Sequence, residues 1–195
     1  LARGAFDLGA GGGGRIGGEA SRVASARASA AVARAPDDLE RALAGALEDA
    51  HAELVARGEG EVTTAVVAVV APDGCASVLS SGDSAALRFD ADGREAEMTP
   101  LHEGEGPFGA GCLTHALGLT PEGPDIRRFR WALDPGDVLV LCSDGLLDAG
   151  LDAEEVGRRL ARAETMEGGV NDLARVVLRR MRFFRAKPDN LTIVA

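Results

Sequence analysis

Lysine occurs once in this chain, at Lys187, so a buried carboxylate has arginine, this single lysine or a bound cation as its usual counter-charge. Cysteine is scarce: Cys75, Cys112 and Cys142 are scattered and form no CxxC pair. That spacing excludes a disulfide framework and a structural zinc site, and makes a reducing cytoplasm the expected location. The three histidines, His51, His102 and His115, are widely spaced, with none at ligand spacing from a Cys or a second His, and read as surface or hydrogen-bonded residues. No apolar run exceeds strand length, so no membrane span is expected. Basic charge is in deficit, 21 Lys and Arg against 31 Asp and Glu, and the resulting net charge of -10 argues against nucleic acid as a partner. Arg127, Arg128 and Arg130 read as one exposed strand face. Gly11 to Gly14 are not followed by Gly-Lys-Ser/Thr, which leaves no phosphate loop, and no G-x-S-x-G elbow surrounds Ser143. The Ala-, Ser- and Arg-rich stretch from Ala20 to Ala35 has the composition of a transit peptide, but Glu19 and a glycine tract precede it.

What remains is a chain of 195 residues, 46% hydrophobic, enough for one domain with a full core. A helix is predicted from about Glu19 to Arg34. Pro36-Asp37-Asp38 opens a second, whose Leu39, Leu43, Leu47, Ala50 and Leu54 form one apolar stripe that a sheet must cover. Thr63 to Ala71 and Cys75 to Ser80 read as a hairpin turned by Pro72-Asp73-Gly74. Ala85 to Phe89 and Arg94 to Thr99 read as another, around Asp90 to Gly93. A third hairpin is expected between Ile126 to Leu133 and Asp137 to Cys142, with loop from 102 to 124. Helices are expected from about Asp152 to Glu164 and Asn171 to Arg185, and a last strand from Asn190 to Val194. The pattern is that of α+β layers.

Two acidic residues mark strand ends. Ser143-Asp144-Gly145 closes the apolar run Val138 to Cys142, and Asp189-Asn190 opens the run Leu191 to Val194. Desolvating a lone carboxylate costs several kcal/mol, comparable with the stability of a whole small domain, so a positive group must offset it. Carboxylate oxygens without clustered His or Cys form the ligand set of Mg or Mn rather than zinc.

The residues around these aspartates resemble the C-terminal half of the metal-dependent PPM (PP2C-type) protein serine/threonine phosphatases of bacterial type. Leu133-Asp134-Pro135-Gly136-Asp137, the following strand and Ser143-Asp144-Gly145-Leu146-Leu147-Asp148 are similar to one family block, and Pro188-Asp189-Asn190-Leu191-Thr192 to its closing segment. Upstream, Gly60-Glu61-Val62-Thr63-Thr64 resembles the family's strand entry with Val62 for a glycine; Ser81-Gly82-Asp83-Ser84 and Leu113-Thr114-His115-Ala116-Leu117-Gly118 resemble two further blocks. The resemblance implies a four-layer αββα sandwich of two antiparallel sheets flanked by helix pairs. It implies Mn or Mg as cofactor, with a metal-held hydroxide attacking phosphoserine or phosphothreonine. The partner is then a phosphorylated protein substrate, or a kinase or other signalling protein. By motif, Asp144 and Asp189 match ligands of the first metal, while Asp83, Asp144 and Asp148 match a weaker third site.

The N-terminal side departs from the family. Aligned without a gap, Phe6 to Arg15 with Gly17-Gly18-Glu19 looks like the family's D-G-x-G-G segment, but Ala10 stands where the bridging aspartate belongs. Only the carbonyl of Gly11 then remains for the second metal, and the two-metal site is incomplete. A gapped alignment places Asp7 in the bridging role instead. The family's first strand, bearing an Arg and an acidic pair, has no counterpart in this sequence. Residues 1–195 are therefore expected to form a single PPM-type domain with that strand missing. It is either a weakened phosphatase or a catalytically inactive pseudophosphatase that binds proteins.

Overall fold

A computed structural model describes residues 3–7, 15–34, 38–104, 112–183 and 191–195. In chain order the elements are β1 (Arg3–Asp7), α1 (Arg15–Arg34), α2 (Leu39–Arg57), β2 (Ala65–Val70), β3 (Cys75–Ser81), β4 (Ala85–Phe89), β5 (Glu95–Met98), β6 (Arg127–Ala132), β7 (Val138–Cys142), α3 (Asp144–Leu147), α4 (Ala153–Arg162), α5 (Met166–Arg182) and β8 (Ile193–Val194). The strands form two antiparallel sheets, ordered β1-β2-β3-β6 and β5-β4-β7-β8.

Three apolar layers hold these parts together. Leu43, Leu47, Ala50 and Leu54 of α2 join Ala20, Ala24 and Ala28 of α1 over Ala65, Val67 and Leu79. Val66, Ala68, Val78 and Trp131 of one sheet meet Ala86 and Leu141 of the other. Leu87, Phe89, Val140 and Cys142 pack beneath Leu146, Val156, Leu160, Leu173 and Val177. The order is helices, sheet, sheet, helices, the four-layer sandwich expected from the sequence. The α2 stripe is buried as its spacing requires, with Asp38 capping the first turn and Gly58 closing the last in a left-handed conformation.

The third expected hairpin is not there. The turn at Asp134 to Asp137 closes, but it carries the chain from one sheet to the other: β6 pairs with β3, and β7 with β4 and β8. The reason lies in the side chains. Val138 to Cys142 is apolar on both faces and needs a central position with core on each side. In β6, Phe129 and Trp131 face the inter-sheet core, while exposed Arg128 and Arg130 reach Glu48 at 3.8 Å and Glu40 at 3.1 Å on α2. Helix α5 starts five residues before the expected Asn171, from an N-cap at Thr165 whose hydroxyl accepts from Gly168 N–H at 3.1 Å. Gly168-Gly169 masks that start in the sequence, yet Gly169 is where α5 lies close against Leu160 and Ala163.

Antiparallel register decides which strand ends coincide. Asp7 faces Val66, Ala65 faces Ser81, Ala85 faces Cys142, and Cys142 faces Ile193. The last residues of β1, β3 and β7 therefore gather with the first residues of β2, β4 and β8 at one end of the sandwich.

Candidate metal centre

Asp83 reaches this end on the three-residue link Gly82-Asp83-Ser84 between the two sheets. Gly82 has φ +107, and a Cβ there would overlap the Thr64 side chain, so only glycine allows the chain to cross so tightly. Thr64 Oγ1 and Ser84 Oγ share a hydrogen bond of 2.9 Å, and Ser81 Oγ donates to the Pro124 carbonyl. Asp83 itself is half-buried.

Asp144 opens α3 directly after β7 and is also half-buried. The preceding residue is latched to the last strand: Ser143 N–H donates to Thr192 O at 3.2 Å, and Thr192 N–H donates to Ser143 Oγ at 3.1 Å. This latch brings the segment that follows Asp189 against the start of α3. Asp148 stands one turn beyond Asp144, donates its N–H to Asp144 O at 2.8 Å, and is exposed. Asp7 is the last residue of β1. Ala10, Gly11 and Asp189 lie outside the described residues. Among the described residues, no three His, Cys, Asp or Glu side chains are grouped closely enough to hold a metal. Asp83 and Asp144, which the register puts at this end of the sandwich, are oxygen donors, and such donors suit Mg or Mn rather than zinc.

Two buried histidines serve this region. His51 Nδ1 accepts from Gly118 N–H at 3.1 Å, and burial lowers its pKa from the ordinary value. His102 Nδ1 accepts from Gly82 N–H at 2.9 Å, and its own N–H donates to Gly82 O at 3.0 Å. Burial, then the Arg127 charge, holds the His102 pKa below its ordinary value. The sequence reading of these residues as hydrogen-bonded is right for both Nδ1 atoms, but it does not foresee that His102 grips the turn next to Asp83. No local signal marks that contact, because the partners are 20 residues apart.

The family model described as stage II sporulation protein E (SpoIIE) matches residues 17–195. A search of curated proteins found no significant match. Among solved structures, the chain resembles the S. agalactiae serine/threonine phosphatase, with TM-score 0.84 at 18% identity over 98% of this chain and 86% of that one. It also resembles the PPM Ser-Thr phosphatase MsPP from Mycobacterium smegmatis, with TM-score 0.70 at 26% identity over 99% and 96%. PppA, described as a key regulatory component of T6SS in Pseudomonas aeruginosa, gives TM-score 0.75 at 22% identity over 98% and 95%. With the same two-sheet sandwich and most of its length matched, the chain belongs to the SpoIIE family of PP2C-like, PPM-type phosphatase domains.

Proposed function

We propose that residues 1–195 act as a single PPM-type domain that hydrolyses phosphoserine or phosphothreonine in a protein substrate, with Mn or Mg, at a reduced rate. The observation that supports this is the gathering of the strand ends that carry Asp7, Asp83 and Asp144 at one end of the sandwich. In this reading Asp144 and Asp189 hold the first cation, and Asp83 with Asp144 and Asp148 a weaker one. The carbonyl of Gly11, with Asp7 in the gapped alignment, serves the remaining position. When bound, such cations supply charge that stabilises the phosphoryl oxygens and lowers the pKa of water.

The chain's own residues hold the carboxylates in place. The Gly82 turn fixes the backbone of Asp83, and the Ser143–Thr192 latch fixes the entry to Asp144. At the same end of the sandwich, Thr64 and Ser84 share a hydroxyl–hydroxyl hydrogen bond of 2.9 Å. Ala10 is the weak point of the ungapped alignment, since a methyl group cannot ligate a cation. Removing one preorganised electrostatic group typically costs a factor of about 100 to 1000 in rate. Ala10 also supports a second reading, a non-catalytic module that binds a kinase or another signalling protein. No described helix is long and apolar enough to cross a membrane, and the cytoplasm is the proposed location.

Hydrolysis of a phosphothreonine peptide across a Mn titration tests the proposal. Slow turnover that needs Mn and is abolished by Asp144→Asn with Asp189→Asn is the expected result. Loss of that turnover in Asp7→Ala would select the gapped alignment. No turnover at any Mn concentration would favour the binding module, and turnover indifferent to the double substitution would overturn the ligand assignment.

A further inference from the structure

We propose that His102 is a positioning residue that links Asp125 to the Gly82 amide and thereby fixes where Asp83 presents its carboxylate; this rests on the reading of Asp83 as a cation ligand. The His102 side chain is fully buried, with 0% of it exposed. A buried ring nitrogen without a partner costs about 1–3 kcal/mol, so a ring in this place needs a reason to be there. Because Nδ1 accepts from Gly82 N–H, the neutral ring carries its proton on Nε2. That Nε2 stands 3.1 Å from Asp125 Oδ2, close but out of line, so among the described residues no hydrogen bond satisfies it. A small rotation of the half-exposed Asp125 carboxylate completes the bond.

The Asp125 backbone supports the same conclusion. It is the only non-glycine among the described residues with positive φ, at +44. A side-chain residue held there costs about 1 kcal/mol or more and persists only where its surroundings enforce it. Here the enforcement is visible: Ser81 bonds the preceding carbonyl of Pro124, and Arg127 Nε lies 3.5 Å from the Asp125 carboxylate. At the other end of the relay, Gly82 is gripped twice, its N–H by the His102 ring and its carbonyl by the His102 backbone. His102 O in turn accepts from Thr114 N–H at 2.8 Å, which ties the 112–125 loop into the unit. Gly82 tolerates no side chain and is adjacent in sequence to Asp83, so a displacement at Gly82 passes directly to the carboxylate.

The test uses the intact chain and three variants. Asn offers an oxygen near the place of Nδ1, so His102→Asn keeps the acceptor, whereas His102→Leu removes it. Asp125→Asn keeps a residue that tolerates the left-handed backbone and removes only the charge. Imidazole 15N shifts of the unmodified protein are expected to show Nε2–H with Nδ1 unprotonated; the opposite tautomer would overturn the proposal. Gly82 amide exchange is expected to quicken at least about tenfold in His102→Leu and to recover in His102→Asn. Unchanged exchange in the leucine variant would also overturn it. Mn affinity is expected to fall about tenfold in His102→Leu, the usual scale when a group supporting a ligand is lost, with partial loss in Asp125→Asn and a similar partial loss in His102→Asn, which keeps the Gly82 bond but not the link to Asp125. Absence of Mn binding to the unmodified chain, with the expected tautomer and exchange, would refute Asp83 as a ligand and leave the His102 clamp on Gly82 in place.

Discussion

At the turn end of the sandwich, aspartates are consumed by their own neighbours in sequence. Asp73 accepts from Cys75 N–H, Asp90 from Asp92 and Arg94 N–H, and Asp137 from Asp134 N–H. Asp137 also meets Arg88 at 2.7 Å. At the opposite end, the buried polar residues include Thr63, Thr64, Ser80, Ser81, Ser84, Thr99, His102 and Ser143. Asp83 and Asp144 sit half-buried among them, on backbone fixed by residues far away in sequence. Turn aspartates stabilise the chain where they stand. The other two stand on backbone that residues distant in sequence hold in place, Gly82 by His102 and Ser143 by Thr192.

Substitution can break this contrast, and Gly82→Ala should have the largest effect. Left-handed strain and the collision with Thr64 together should cost about 3 kcal/mol, or roughly 6–12 °C in Tm for a chain of this size. Gly136→Ala at the turn end also has positive φ, but its new Cβ would meet only Ala91, at 3.1 Å. It should cost about 1–2 kcal/mol. Thermal melts of the two variants compare them directly, and equal losses would show that the Gly82 crossing is no tighter than an ordinary turn.

Arg88→Met should come next. It leaves an Asp137 side chain that is only 4% exposed with the Asp134 N–H bond alone, at about 1–3 kcal/mol, and also removes the 3.0 Å contact with Glu97. The Asp134 N–H bond and then the Arg88 pair lower the Asp137 pKa from its ordinary value. A depressed carboxylate stabilises fully above its unfolded pKa, near about 3.9, and that contribution fades as pH falls through the folded value. The penalty for Arg88→Met should therefore be large at neutral pH and shrink in acid. Denaturant unfolding at pH 7 and about pH 3 measures it, and a penalty constant with pH would place the effect in packing alone.

The smallest effect is expected at the other end. Without metal, Asp144→Asn should leave stability unchanged or raise it by less than about 1 kcal/mol, because carboxylates brought together in the proposed site would repel. A drop of several degrees would show that Asp144 is structural, like the turn aspartates.

The same contrast separates what the sequence discloses from what it does not. The α2 stripe, the two hairpins around Asp73 and Asp90 to Gly93, and the apolar β7 are written in local spacing and turn chemistry, and all form as expected. The placement of β6 and β7 in separate sheets is not local. It depends on which sheet can bury both faces of Val138 to Cys142, and nothing in the Pro135-Gly136 turn records that choice. The position of Asp144 is legible because it punctuates a strand end, and that of Asp83 because Ser81 to Ser84 resembles a block of a known family. The His102 grip on Gly82 was not legible, since a histidine 20 residues from its partner carries no periodic signal.

The central claim is that the polar end of the sandwich is a cation site and the turn end is not. Calorimetric titration of Mn into the unmodified chain and into Asp83→Asn with Asp144→Asn tests it most directly. Weak binding heat in the unmodified chain that disappears in the double variant, and persists in Asp73→Asn at the turn end, is the expected result. Equal heats in the unmodified chain and the double variant would contradict it.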